Sequence, residues 1–211
     1  MMQYPFQDIS LPDWVATHLT RIPPRATDTG LAHIPSLNPI ISSQLGGGLP
    51  KGSISEFGIP LHSTGRSILA DFIGYATQNH DLCLWINGHP ELSIYPPAWT
   101  ARGINPSRWV VANTATPIRA LKAALMKRLF KLVIFDMPPH GLGIEDIAFI
   151  GMQARINRYA AVLIRPHLLH PKSGNPWAKL RVNLHGSGDR LRLNLLKGPN
   201  GVIVNPGFSF L

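Results

Sequence analysis

The chain of 211 residues is 45% hydrophobic and 15% charged, which fits one folded domain and excludes a largely disordered protein. Its net charge of +9 is uneven: residues 1–99 carry four Lys and Arg against seven acids, or −3, whereas residues 100–211 carry sixteen against four, or +12. The basic half would attract a phosphate backbone or an acidic protein surface, although basic proteins that bind neither are also common.

The sequence contains no feature that would direct it to or through a membrane. No apolar run approaches the roughly 18 residues of a membrane helix, and the first ten residues lack the basic and apolar regions of a secretory signal. The single cysteine, Cys83, cannot form an internal disulfide. We therefore expect a protein of the reducing cytoplasm.

Residues 1–32 are predicted to form an N-terminal helical arm and a linker. Asp13 is a suitable N-cap, and Pro23 ends the helix. The side chains at helical spacing between them are Trp14, Val15, His18, Leu19 and Ile22. Such an amphipathic arm docks either on its own domain or on a second copy, in which case it would support a homo-oligomer.

Residues 33–211 are predicted to form one α/β core domain. Short runs that are apolar on both strand faces alternate with helical periods, which indicates a mostly parallel sheet flanked by helices. The predicted strands are Ser53–Phe57, Leu82–Ile86, Trp109–Ala112, Leu132–Asp136 and Ala160–Arg165. The predicted helices are Arg66–Gln78, Ile118–Phe130 and Ile144–Asn157.

The end of the core domain is predicted to be an antiparallel hairpin and a short last strand, Val202–Val204. Leucine and valine alternate with polar residues over 180–184 and 191–195, on either side of a turn at 185–189. The alternation predicts one cationic face, which would bind a phosphate backbone or an acidic partner, or would be an ordinary solvated surface. Its members are Lys179, Arg181, Arg190, Arg192 and Lys197.

The segment from Glu56 to Leu69 has the setting of a phosphate-binding loop. A strand leads through a turn into a helix, where a P-loop places backbone amides, a Lys and a Ser or Thr on the phosphates and Mg²⁺ of ATP. The residues fit only in part, because Pro60 replaces the first Gly and Arg66 replaces the Lys. We interpret Gly65, Arg66 and Ser67 as a degenerate nucleotide-binding loop with ATP and Mg²⁺ as its candidate ligands.

Asp136 ends an apolar strand and is the second candidate residue of this site. An Asp at the carboxyl end of a buried strand commonly holds nucleotide-bound Mg²⁺, and the alternative is an Asp that caps the following loop. Its combination with the degenerate loop favours the magnesium interpretation. No His or Cys pair has the spacing of a zinc site, and His167 and His170 come closest.

These elements, in this order, resemble the RecA-like superfamily over about residues 33–205. The most specific part is the glycine-rich lead-in Leu45–Gly52, LGGGLPKG, before the strand, and the stretch Trp99–Val111 is also similar. RecA proteins place a catalytic Glu after the strand that corresponds to Leu82–Ile86, where this chain has Asn-Gly-His-Pro-Glu with His89 near the expected place. The resemblance therefore implies a nucleotide site without an evident catalytic base.

Within this superfamily the chain is most similar to the ImuA family, through its short length, its degenerate loop, its Ile164-Arg-Pro166 sequence and its basic hairpin. The resemblance implies a non-catalytic accessory protein of SOS mutagenesis, that is, of DNA damage tolerance by translesion synthesis. Its implied partners are an ImuB-like Y-family polymerase homologue and a DnaE-type polymerase, with RecA and single-stranded DNA as further candidates. The alternatives are an active ATPase of the RecA or KaiC type and a cell-division inhibitor similar to SulA, the nearest relative.

Overall fold

The structure, a computed structural model, describes residues 32–61, 63–92, 94–172, 174–187, 190–198 and 207–210. The strands of its main sheet are β3 (Ser53–Gly58), β4 (Leu82–Asn87), β5 (Trp109–Asn113), β6 (Phe130–Asp136), β7 (Ala160–Arg165), β8 (Ala178–Ser187), β9 (Arg190–Lys197) and β10 (Gly207–Phe210). They lie in the order β5-β4-β6-β7-β3-β8-β9-β10. A two-stranded ribbon of β1 (His33–Ile34) and β2 (Leu49–Pro50) precedes them.

The predicted α/β class is confirmed. In the order of the sheet, each strand from β5 through β4, β6, β7 and β3 to β8 runs parallel to its neighbour. The strand β9 pairs in antiparallel fashion with both β8 and β10. Parallel strands need long crossover connections, which explains the intervening helices. These are α1 (Pro39–Gln44), α2 (Ser67–Gln78), α3 (Pro96–Thr100), α4 (Pro117–Leu125) and α5 (Ile144–Asn157), with short 3₁₀ turns at Thr64–Arg66 and Pro106–Arg108.

The core consists of two apolar layers, one on each face of the sheet. On one face α2 packs Phe72 and its neighbours against strand residues such as Trp85 and Ile134. On the other face α4 and α5 cover strand residues such as Val133 and Leu163. Because side chains alternate along a strand, strands between two helical layers are expected to be mostly apolar on both faces, and Glu56 of β3 is an exception.

The helix predicted over Ile118–Phe130 is shorter in the structure, where α4 ends at Leu125 and β6 begins at Phe130. Phe130 is buried in the layer beneath α4 and α5. The apolar residues at the end of the helical period therefore belong to two elements, because the burial of Phe130 in the sheet outweighs the continuation of the helix.

The hairpin is present, but the prediction of a cationic surface on it is wrong for Arg181, at the centre of that face. Arg181 and Asn183 are 6% and 5% exposed, because the crossover at 166–177 covers that face of β8. Asn183 exchanges two hydrogen bonds with the backbone of Leu169, of 2.7 and 3.0 Å, and Arg181 donates to the carbonyl of His170. Alternation placed these residues on the correct face of the strand, but this face is buried.

Two predicted elements lie outside the described residues, namely the N-terminal arm within residues 1–31 and the strand Val202–Val204. The last described strand is β10, which pairs with β9 from Gly207 to Phe210. Within the described ranges, no helix has both the length and the apolar character needed to cross a membrane.

Candidate functional site

The candidate phosphate loop lies at the edge of the sheet where its parallel strands end. Gly58 ends β3, Asp136 ends β6, and Asn87, which ends β4, is in register with Asp136. In open α/β sheets this carboxyl edge is the usual place of ligand sites. The fold therefore brings together the loop and the Asp that the sequence separates by 70 positions.

Arg66 and Asp136 form a bidentate ion pair across this edge. The Arg66 Nε donates to Oδ2 of Asp136 at 2.8 Å and its Nη2 donates to Oδ1 at 3.0 Å. The remaining guanidinium nitrogen, Nη1, donates to the carbonyl oxygen of Pro60 at 3.3 Å. The planar fork of an arginine matches both carboxylate oxygens at once, which a lysine cannot do.

The loop uses its own polar groups to hold its shape. Ser63 donates its amide to the carbonyl of Pro60 at 3.0 Å, and its Oγ accepts from the amide of Gly65 at 3.1 Å. The same Oγ accepts from the amide of Gly186 in β8 at 3.0 Å. Two loop amides that a phosphate would need therefore already have partners within the chain.

The hairpin strand β8 packs closely against the loop. A Cβ on Gly186 would overlap the Thr64 Oγ1 and would lie 3.1 Å from the Thr64 amide nitrogen. Gly65 is similarly close to Leu184, because a Cβ there would lie 3.0 Å from the Leu184 Cβ. The loop is thus enclosed by β8 on one side and by the Arg66–Asp136 pair on the other.

His89 completes the cluster and lies beside Asp136, near the place where the resemblance predicts a catalytic Glu. The His89 Nε2 is 3.5 Å from Oδ1 of Asp136, and its Nδ1 is 3.4 Å from Oε1 of the largely exposed Glu91. The imidazole is buried, and Nε2 has no hydrogen-bond partner. Asn87 fixes the turn that carries it by donating to the carbonyls of His89 and Leu92.

This arrangement does not fit a bound nucleotide and its metal. Asp136, 2% exposed, has both oxygens on Arg66, so binding Mg²⁺ would require this ion pair to open. Ser67 begins α2, one residue after the predicted start at Arg66, but the cation before it is directed at a carboxylate. Among the described residues there is also no group of three His, Cys, Asp or Glu side chains arranged for a metal ion.

A second ionic cluster was not predicted. Glu56 of β3, 3% exposed, accepts from Arg165 Nε of β7 on Oε1 and from Arg181 Nε of β8 on Oε2, both at 3.1 Å. The sequence contains one sign of it, since Glu56 is an acid within a strand that is otherwise apolar or small. Such an acid is normally paired when it is buried.

The remaining cations of the predicted hairpin surface differ in their exposure. Lys179 and Arg192 are exposed and Lys197 is half-buried, whereas Arg190 contributes its backbone to β9 and its side chain lies outside the described part. Trp177, next to this group, is 47% exposed. In the structure Arg66 and Asp136 thus lie together, and Arg181 is buried.

Comparison of the sequence with known proteins yields no matching family, and no curated protein matches it.

Proposed function

We propose that the chain is a RecA-like accessory protein that works through contacts with other molecules and does not hydrolyse ATP. The observation that carries this is the bidentate pair in which the loop cation Arg66 and the candidate metal ligand Asp136 neutralise each other. The internally bonded amides of Ser63 and Gly65 support it as well. Phosphoryl transfer needs such groups to act on the phosphates and on Mg²⁺.

We place this protein in DNA damage tolerance by translesion synthesis, and this part of the proposal rests on the resemblance to the ImuA family. The strand that leads into the loop lies in the interior of a parallel sheet, between β7 and β8, which is compatible with a RecA-like core. The proposed partners are an ImuB-like polymerase homologue and a DnaE-type polymerase, in the cytoplasm.

ATP turnover tests the non-catalytic part. We expect phosphate release by the purified protein to stay at the level of buffer, with and without single-stranded DNA, and a fluorescent ATP analogue to show no saturable binding. The matched variant is Arg66→Ala, which should change neither result. A DNA-stimulated rate that is lost in Arg66→Ala would show an active ATPase and overturn the proposal.

The cellular role is tested by deleting the gene and measuring ultraviolet-induced mutation frequency. We expect the frequency to fall to that of a strain without the ImuB-like protein, and the double deletion to fall no further. Overproduction tests the alternative, because a division inhibitor would produce filamentous cells whether or not the polymerase genes are present. That result, with unchanged mutation frequency, would favour the SulA-like role.

Direct DNA contact is proposed for the exposed hairpin cations. Lys179 and Arg192 would each neutralise a phosphate, so that Lys179→Glu with Arg192→Glu should weaken single-stranded DNA binding and make it less dependent on salt. Arg102→Glu, which changes an exposed cation outside this region, is the control. If both variants lose affinity equally, the hairpin has no special part in binding.

A further inference from the structure

The outer side of α5 carries an exposed apolar stripe. Four residues spaced by four positions are exposed and form a row that winds slowly around the helix: Ile144, Ala148, Met152 and Ile156. Ile144 is 74% exposed and Ile156 is 52% exposed. A contiguous apolar stripe of this kind on a helix surface indicates a site that something covers.

The stripe ends in a basic region. Asn157 donates its side-chain amide to the carbonyl of Leu125 at 3.1 Å, which joins the carboxyl ends of α5 and α4. The exposed cations at these two ends are Lys127, Arg128, Arg155 and Arg158. The side of α5 thus combines an apolar centre with positive charge at one end, and its best partner is an amphipathic segment with negative charge at one end.

Such a segment exists in the same chain, within residues 1–31, which the structure does not describe. Asp8 and Asp13 lie before and at the amino end of the helix predicted over residues 13–22, and Arg21 lies near its carboxyl end, so this helix is neutral overall, with its negative charge at the amino end. The helical period predicted from Asp13 to Ile22 supplies the apolar side, with Trp14 as its largest member. Ten residues of helix are about 15 Å long, and the stripe from Ile144 to Ile156 is about 18 Å long.

The described chain also begins close to this surface. The carbonyl of Ala32 accepts from the Lys51 amide at 2.9 Å, and the adjacent Gly52 donates to the carbonyl of Tyr159 at 3.0 Å. A Cβ on Gly52 would lie 3.8 Å from the Cα of Arg155. Residue 32 therefore lies near the basic end of α5, and the linker at 23–31 spans up to about 30 Å.

We propose that the helix predicted over residues 13–22 packs along the exposed stripe of α5 in the same chain. The segment's acidic amino-terminal part would face the basic region, and Trp14, Leu19 and Ile22 would cover the stripe. This proposed contact does not depend on the proposed function. Tethering by the linker gives the segment an effective concentration in the millimolar range, so that even a weak contact is largely formed.

Disulfide trapping in the full-length chain tests the contact. Cys83 is fully buried and is replaced by Ala, so that the only thiols are introduced ones. Leu19→Cys or Val15→Cys is combined with Ile156→Cys. The matched control is Ile40→Cys, an isoleucine of nearly equal exposure, 55% against 52%, that lies on α1 beside the opposite face of the sheet.

We expect an intramolecular disulfide with Ile156→Cys at least tenfold faster than with Ile40→Cys, at a rate independent of protein concentration. Adding Arg155→Glu and Arg158→Glu should slow its formation several-fold at low salt. Disulfide-linked dimers that increase with concentration would show that a second copy supplies the segment, and equal rates for the two positions would show no docking on α5. Either result overturns the proposal.

Discussion

Two buried carboxylates of this protein form ion pairs with arginines, and they differ in the number of arginines that bind them. Asp136 faces one guanidinium, which takes both of its oxygens, and Glu56 faces two, each on a different oxygen. The first cluster contains one arginine for its carboxylate, whereas the second contains two. The Asp136 pair closes a site that the sequence predicts as functional, and the Glu56 cluster joins three adjacent strands.

This difference separates a predicted ligand site, whose charged groups are paired within the chain, from a structural connection. Arg66 is directed at the candidate metal ligand Asp136, so both charged groups of the predicted site are engaged in a contact within the chain. Arg165 and Arg181 instead tie β7 and β8 to the central β3, and Arg181 also holds the crossover through His170. The two clusters should respond differently when one charge is removed.

The largest effect is expected from Glu56→Gln. Two guanidinium groups would lose their shared counter-charge in a buried setting, which destabilises by about 3–5 kcal/mol. Urea unfolding followed by circular dichroism measures the free energy of unfolding. The control is Arg102→Gln, which removes the exposed pair with Asp71 and should cost no more than about 1 kcal/mol. Equal losses in the two variants would contradict the structural role of Glu56.

The Arg66–Asp136 pair should show a smaller and asymmetric response. Arg66→Met leaves the carboxylate of Asp136 buried with His89 alone and should cost about 2–4 kcal/mol, whereas Asp136→Asn leaves a guanidinium that can reach water and should cost about 1–2 kcal/mol.

A double-mutant cycle checks this asymmetry. The combined variant should be more stable than the sum of the two losses predicts, because neither charge remains without its partner. Additive losses would show that the two side chains do not interact.

The sequence predicts the parallel sheet and the closeness of Arg66 to Asp136, because both follow from strands that end at one edge. It does not predict that the two side chains pair with each other, because an arginine can bind either a phosphate or a carboxylate. Nor does it predict the burial of Arg181 and Asn183. Strand alternation assigns these residues to a face, but whether the crossover at 166–177 covers that face depends on tertiary packing.

The contact between the hairpin and the loop should tolerate no added side chain. Gly186→Ala places a methyl group on Thr64 and should cost about 1–3 kcal/mol through overpacking. The matched control is Gly151→Ala in α5, where the nearest atom is the end of the buried Ile54 side chain at 3.3 Å and helix propensity favours Ala by up to about 1 kcal/mol. The thermal unfolding temperature should therefore fall further in Gly186→Ala than in Gly151→Ala. A Gly186→Ala protein as stable as the wild type would show that the loop is not enclosed by β8.

The smallest effect concerns Cys83, a buried ionisable group without an arginine. Burial raises the pKa of this thiol, and the Asp81 carboxylate adds in the same direction. The unfolded thiol ionises near pH 8.5, whereas the folded thiol stays neutral. The stability from this group is therefore fully present below about pH 8.5 and is lost as the pH rises above it, by at most about 1.4 kcal/mol per pH unit.

Urea midpoints of wild type and Cys83→Ala between pH 7.5 and pH 10 measure the difference. Burial raises the pKa of Tyr159 as well, so both proteins lose stability near pH 10, and only the difference in slope reports Cys83. Parallel slopes would show that the thiol ionises in the folded protein, and hence that burial without a cation does not keep this group neutral.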